Sequence, residues 1–268
     1  MKFAIIGGTH GNEPVGIKVI ESLKNNSDHS FRNSFKTFLG NPKAYELGKR
    51  YVNSDLNRAF GNDESSLGNE KSRASELQSD IVGKYDFLLD LHTTTSSMGL
   101  TVILTHLDEI SLKSACYLKK MIPDLKIIVS VRAGKECPYT ISMVSSGLTV
   151  EVGPVANNVI KAELVIATRK MVDLLLDYDF SEKFDYQTTD CFKTIGIKSL
   201  PEGGEWMVHP NIDGHDFMEL KNGDPMFINI DGEVLSYEGE TIYPLFVNEA
   251  AYQENNTAFE FAIKSTLK

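Results

Sequence analysis

The chain has 268 residues, 41% of them hydrophobic, and carries a formal net charge of -10 with a pI near 5.1. That length suits one large α/β domain or a main domain carrying a smaller one, and the apolar share supports a packed core. The acidity excludes broad binding to nucleic acid or to an anionic membrane, while leaving room for a locally positive pocket.

Residues 3–6 (FAII) predict a buried strand, and GGTHGNEP follows as a tight loop. Pro14 suits a first helical turn, and Val15, Val19, Ile20 and Leu23 continue at helical spacing. A second strand is expected around Phe35–Leu39, ending at the turn signal GNP. After a polar stretch containing DLNR, residues 70–84 read as a polar helix leading into the apolar run YDFLLDLH. TVILTH, SLKSACYLKKMI and KIIVSV then repeat a strand–helix–strand rhythm, followed by a strand at GLTVEVGP and a helix over 159–177. This alternation predicts an α/β fold: a mostly parallel or mixed sheet flanked by helices over residues 1–185.

Beyond that point the pattern changes. Short strand candidates near 191–197, 205–208, 225–229 and 233–236 are separated by GG, DG, NG and EG turn signals, and FEFAIKS alternates near the end. Residues 186–268 therefore read as a smaller, mostly β domain. The three cysteines, Cys116, Cys137 and Cys191, are too scattered for a disulfide framework or a thiolate metal site. No apolar stretch reaches membrane-spanning length, and MKFAIIGGTHG lacks the cleavage segment of a signal peptide. A cytoplasmic location, with no membrane or nucleic-acid partner, is the default expectation.

Three residues stand where a metal would be held. His10 and Glu13 follow the first strand three positions apart, and His92 follows the strand YDFLLDLH. Loops at the carboxyl ends of neighbouring parallel strands converge on one crevice. Two imidazoles and a carboxylate there can hold one zinc ion and leave its fourth position open for water. Taken alone, an HxxE spacing is also an ordinary loop feature; the third residue in the matching place is what gives it weight. Asp90 reads either as a support for a ligand or as a strand-end hydrogen-bonding residue. His29, His106, His209 and His215 lie in polar loops and turns and are poorer candidates.

These segments resemble the aspartoacylase and succinylglutamate desuccinylase family. The likeness runs through GGTHGNE, NPKAYELGKRYVNSDLNRAF, DLHTTTS, LTVEVGP and YPLFVNEAAY, and through MVHPNIDGHDF and NGDPMFINIDGE in the β region. The resemblance implies a zinc-carboxypeptidase-like catalytic domain, with a C-terminal β domain covering the cleft. It implies one Zn2+ per chain on His10, Glu13 and His92, with Glu151 as general base and Arg50 polarising the scissile carbonyl. Asn57 and Arg58 then match positions that bind a substrate carboxylate, Tyr252 a pocket contribution of the β domain, and Glu249 a structurally important acid. Asp55 reads either as an organiser of the DLNR loop or as a turn cap.

The activity so implied is hydrolysis of an N-acyl amino acid, with N-acetyl-L-aspartate favoured. Another N-acyl amino acid (aromatic, or N-succinylglutamate) is the neighbouring reading, and a noncatalytic metal-binding scaffold the reading from a different class. Family members are often dimers or larger, so a homo-oligomer is compatible. One departure stands out. Aspartate-specific members carry a further arginine before EVGP, whereas YTISMVSSGLTVEVGP has none. Ser142, Met143 or Ser145 falls in that neighbourhood, and Arg132 or Lys135 is the candidate replacement cation.

Overall fold

The computed structural model describes residues 1–25, 30–61, 68–130, 137–181, 188–203 and 205–267. Its first strand shows how the sheet acquires two buried faces. In β1 (Lys2–Gly7), Phe3 and Ile5 join one apolar cluster while Ala4 and Ile6 join another. Side chains alternate across a strand, so a strand covered on both sides is apolar at every position. Removing a fully buried ring such as Phe3 would cost about 3–5 kcal/mol in lost burial and cavity formation.

α1 (Pro14–Lys24) lays Val15, Val19, Ile20 and Leu23 on the Phe3–Ile5 face, with Pro14 in its first turn as the spacing predicts. Its approach is set by glycine. A Cβ on Gly7 would strike the Gly16 backbone, and one on Gly16 would strike the Leu91 carbonyl. Helix and strands therefore pack backbone to backbone, which fixes the path of the loop carrying His10 and Glu13.

The chain continues through β2 (Ser34–Leu39), α2 (Pro42–Glu46), α3 (Gly68–Ile81), β3 (Phe87–Thr93) and β4 (Gly99–Leu104). Then come α4 (Glu109–Met121), β5 (Lys126–Val129), β6 (Gly147–Gly153) and α5 (Ala162–Asp177). α1, α4 and α5 cover one face of the sheet; α3 covers part of the other with Leu56, Phe60 and Ile141. β4 runs antiparallel to β6, so the sheet is mixed. No helix among the described residues is long and apolar enough to cross a membrane.

The C-terminal strands divide in a way the turn signals do not reveal. β7 (Asp190–Ser199) pairs with β5, β12 (Thr257–Thr266) pairs with β7, and β11 (Tyr243–Leu245) pairs with β12. These three extend the main sheet to nine strands. Among the described residues, β8 (Met207–Val208), β9 (Pro225–Ile228) and β10 (Val234–Ser236) form the small antiparallel sheet, packed on Ile212, Leu220 and Phe259. β7 alternates partly buried and exposed residues along most of its length, as a half-covered strand does, and local alternation cannot tell which neighbour it pairs with.

The alternation also builds the site. On the face opposite α1, β3 presents Leu88, Asp90 and His92, and β6 presents Thr149 and Glu151. Ile103 of β4 stands opposite Thr149, and Ile128 of β5 stands opposite Ile103. α3 shields the β1–β3 half of this face. The segment from Leu245 to Tyr252 lies over the β4–β5 half, with Phe246 and Leu245 packed near Met98 and Ile128.

Phe246 and Asn248 both have left-handed backbone, with φ of 54° and 52°. Such a conformation is unfavourable for a bulky side chain and persists where surroundings impose it. Here Val247 N–H donates to Asp216 Oδ1 at 3.0 Å, and Asn248 Nδ2 donates to Asp213 Oδ1 at 2.7 Å. Burial pushes the Asp216 carboxyl up from about 3.8 to about 6, although backbone donors oppose the shift. The folded chain thus keeps a proton that the unfolded chain has lost, so this group makes stability fall as pH rises from about 4 to about 6. Asp216→Asn, uncharged throughout, is expected to lack that fall and to melt at a higher temperature than the parent above pH 6. Superimposable melting-temperature profiles for the two proteins from pH 4 to 8 would contradict this.

Candidate active site

His10 leaves the end of β1, Glu13 immediately precedes α1, and His92 lies near the end of β3. The fold brings all three together. His10 Nδ1 is 2.6 Å from Glu13 Oε1, and His92 Nδ1 is 3.0 Å from Glu13 Oε2. The two Nδ1 atoms lie 3.2 Å apart. Each residue is at most 4% exposed, so the cluster cannot be satisfied by bulk water.

The donor set fits a metal. Two nitrogen lone pairs and a carboxylate converge, and tetrahedral zinc at roughly 2.0–2.1 Å from such ligands spaces them about 3.3 Å apart. The outer nitrogens are backed by carboxylates. His10 Nε2 lies 3.0 Å from Asp55 Oδ1. His92 Nε2 lies 2.8 Å from Asp90 Oδ2, within ion-pair reach although off the line of a good hydrogen bond. Thr9 Oγ1 donates to the other Asp90 oxygen at 2.7 Å. Carboxylates placed so hold the ring orientation and make the inner nitrogen a better ligand. His10, Glu13 and His92 therefore form a site able to coordinate one metal ion.

Charge balance in the bare cluster points the same way. Burial opposes ionisation of Glu13, but the His10 and His92 imidazoles outweigh it and hold the carboxyl well below its usual range. Burial likewise disfavours protonated His92, while Asp90 and Glu13 overcome it and raise its pKa well above the ordinary value. Positive charge is what these carboxylates attract.

A cavity of about 130 Å³ opens beside the triad. Glu151 lines it, directly across from His92 in the β3–β6 ladder. The side chain is partly accessible through the cavity, yet its Oε2 is buried and has no partner among the described residues. Burial pushes Glu151 up to about 8; Glu13 and Glu249 add to that, and His92 and Arg50 oppose it. A carboxyl in that state readily exchanges a proton near neutral pH.

Arg50 reaches the same centre, with Nη1 3.4 Å from Glu13 Oε1 and Nη2 3.2 Å from Asp55 Oδ2. Asp55 caps the turn Leu56–Arg58 by accepting from Asn57 N–H at 2.8 Å, and it also supports His10. It is both of the things the sequence left open, and a metal-site support besides. Asn57 and Arg58 line the cavity. Thr140 occupies the Asn57 carbonyl through its N–H and hydroxyl, which turns the amide nitrogen to other use. The Arg58 guanidinium lies 4.7 Å from the Tyr139 ring centre.

From the C-terminal side, Tyr252 lines the cavity and donates to Glu260 Oε1 at 2.6 Å. Burial and then Glu260 hold its phenol well above the usual pKa, so it remains a donor. Glu249 accepts from the Thr94 hydroxyl, from Thr95 N–H at 2.8 Å and from Thr95 Oγ1 at 3.0 Å. It thereby ties the C-terminal segment to the loop that follows His92.

Three contributors had weak signals in sequence. Glu70, fully buried in α3, accepts from Val52, Asn53 and Ser54 N–H and from Asn41 Nδ2, which sets the loop leading to Asp55. A charge inside a polar helix looks solvent-exposed. Glu260 sits in an alternating strand whose inward face is unknown without its partner. The TTTSS cluster, which supplies Glu249's donors, was the most readable of them. Met143 packs in the apolar cluster under α3 rather than on the cavity wall. Ser142 and Ser145 do not line the cavity either. Arg132, Lys135 and His29 lie outside the described residues; His106, His209 and His215 lie outside the cavity wall.

Because Asp55 bonds His10 from behind, Asp55→Asn is expected to weaken zinc affinity about 10–100-fold in chelator competition. Unchanged affinity would show that the Asp55–His10 contact does not prepare the site.

Comparison with known proteins agrees with this geometry. The profile of the succinylglutamate desuccinylase/aspartoacylase catalytic domain matches residues 1–178, and that of the AstE/AspA barrel-sandwich hybrid domain matches residues 178–264. A Trichodesmium erythraeum protein named "Probable aspartoacylase" is 37% identical over 100% of this chain and 98% of its own length. The N-acyl-aromatic-L-amino acid amidohydrolase (carboxylate-forming) of Homo sapiens is 35% identical, over 96% of this chain and 89% of its own. The crystal structure of murine aminoacylase 3 superposes with a TM-score of 0.86 at 32% identity, covering 100% of this chain and 97% of that one. A His/Glu/His metal cluster in a catalytic domain of this fold is the arrangement of a zinc amidohydrolase acting on N-acyl amino acids, and the chain belongs to the aspartoacylase/succinylglutamate desuccinylase family.

Proposed function

We propose that this protein is a zinc-dependent amidohydrolase that cleaves a short acyl group from an N-acyl amino acid, with N-acetyl-L-aspartate the favoured substrate. The observation that carries this reading is the Glu151 carboxyl, whose buried Oε2 has no partner among the described residues, facing the triad from the neighbouring strand. A noncatalytic metal scaffold has no use for a buried carboxyl at that point, where it carries a desolvation penalty without a partner.

Zinc held by His10, Glu13 and His92 would supply Lewis acidity, making water a usable nucleophile and drawing electrons from the amide carbonyl. Glu151 accepts the proton released as the water oxygen bonds to the carbonyl carbon. It then returns that proton to the amide nitrogen as the C–N bond breaks, giving a carboxylate and an amine. Arg50 places its positive charge beside the oxygen on which negative charge grows. Arg58 meets the substrate carboxylate with paired donors, and Asn57 adds an amide N–H. Tyr252, supplied by the anchored C-terminal segment, completes the pocket wall and offers its hydroxyl toward the substrate.

The preference for aspartate rests on a narrow margin of overall similarity, 37% identity to a relative named "Probable aspartoacylase" against 35% to an N-acyl-aromatic-L-amino acid amidohydrolase. Met143 favours a second reading. Met143 turns into the core where aspartate-specific members carry an arginine, and among the described residues the cavity wall carries Arg50 and Arg58 as its cations, which suits an uncharged or aromatic amino-acid side chain.

Turnover of N-acetylated aspartate, glutamate, phenylalanine and tyrosine, with and without chelation, decides between them. Hydrolysis should vanish on metal removal and return with zinc; a protein inactive on the whole panel would refute the proposal. Glu151→Gln should bind zinc normally while losing about 10²–10⁴-fold in kcat. Near-parental turnover by that variant would remove Glu151 from the proton-transfer role.

A further inference from the structure

The cavity extends in two directions from the triad. On one side, Asn57 and Arg58 lie on a turn whose Leu56 packs over β1 and β3. On the other, the floor steps across the sheet from Thr149 on β6 to Ile103 on β4 and Ile128 on β5. Adjacent strands are about 4.8 Å apart, so this second arm reaches roughly 10 Å from the strand of Glu151. If the substrate carboxylate binds Arg58, as proposed above, the scissile carbonyl lies at the triad and the acyl tail enters the second arm.

The far wall of that arm carries a charge. Glu260 projects from β12 into the cavity, and its Oε1 takes the Tyr252 hydroxyl at 2.6 Å. Among the described residues on the wall, the cations are Arg50 and Arg58. Arg50 is held by Asp55 and Glu13, and Arg58 belongs to the opposite arm. Nothing else in the described wall neutralises Glu260.

We propose that Glu260, braced by Tyr252, makes this arm selective for uncharged acyl groups and rejects acyl groups that end in a carboxylate. An acetyl or propionyl tail contacts Ile103, Ile128 and Phe246 without approaching the acid. A succinyl tail would bring a second carboxylate against Glu260 in a confined site, where like charges repel strongly.

The test holds the amino acid constant and varies the acyl group, using the amino acid that the zinc-loaded wild type handles best. Wild type should show a kcat/KM for the N-acetyl compound at least about 100-fold above that for the N-succinyl compound. Glu260→Gln should narrow this ratio by about tenfold or more, chiefly through the KM of the succinyl substrate. Tyr252→Phe, which keeps the carboxylate, should retain the discrimination whatever its effect on rate. The proposal is overturned if wild type accepts succinyl and acetyl substrates alike, or if Glu260→Gln leaves the ratio in place. It is also overturned if the Glu260→Gln effect follows the amino-acid side chain at fixed acetyl rather than the acyl group. A wild type inactive on every N-acyl amino acid would instead sink the amidohydrolase reading on which this rests.

Discussion

Two imidazole nitrogens 3.2 Å apart, with a carboxylate between them and almost no access to water, are the constraint around which this chain is organised. Left unsupported, such a cluster would carry a large desolvation penalty. Asp55 and Asp90 hold the outer ring nitrogens, Thr9 holds Asp90, and Thr93 N–H reaches Glu13 Oε2 at 3.1 Å. These supports come from separated stretches of chain. The triad is therefore a product of the whole sheet, and a local change that shifts β1 against β3 would disturb it.

The same dependence extends to the C-terminal third. Glu249 bonds three groups of the Thr94–Thr95 segment, and Ser96 Oγ donates to the Val247 carbonyl at 2.9 Å. Phe246 and Tyr252 enter the cavity from this anchored segment. Because β7, β12 and β11 continue the main sheet, the segment is joined to the catalytic strands by a hydrogen-bonded ladder as well as by side chains. Docking is thus built into the fold, and the cavity wall is fixed before a ligand arrives.

The amino-acid sequence revealed the triad because its members fall at strand ends, where neighbouring loops of a parallel sheet must meet. Glu151 was singled out through the family resemblance; the β3–β6 register then sets it across from His92, on the face it shares with Thr149. Asp55, Glu70 and Glu260 were harder. The role of each depends on a partner distant in sequence, and a lone acidic residue in a turn, helix or strand looks like surface. The placement of β7 was hidden for the same reason, since alternation specifies a half-buried strand without naming its neighbour.

Charge gives these pieces a common logic. Three carboxylates, Glu13, Glu249 and Glu260, and a fourth carboxyl, Glu151, line the cavity against the guanidinium groups of Arg50 and Arg58. In an acidic protein that balance is unfavourable for any anionic ligand, and a divalent cation at the triad is what offsets it. The proposed recognition of a carboxylate at Arg58 is therefore coupled to metal occupancy even though Arg58 belongs to neither the triad nor its supports. The acid at the far wall escapes this compensation because it lies at the end of the other arm, beyond the strand that bears Glu151. With Arg58 and Glu260 in their proposed roles, one end of the cavity attracts a carboxylate while the other repels one, and an N-acyl amino acid with a neutral acyl group has the charge distribution that matches both.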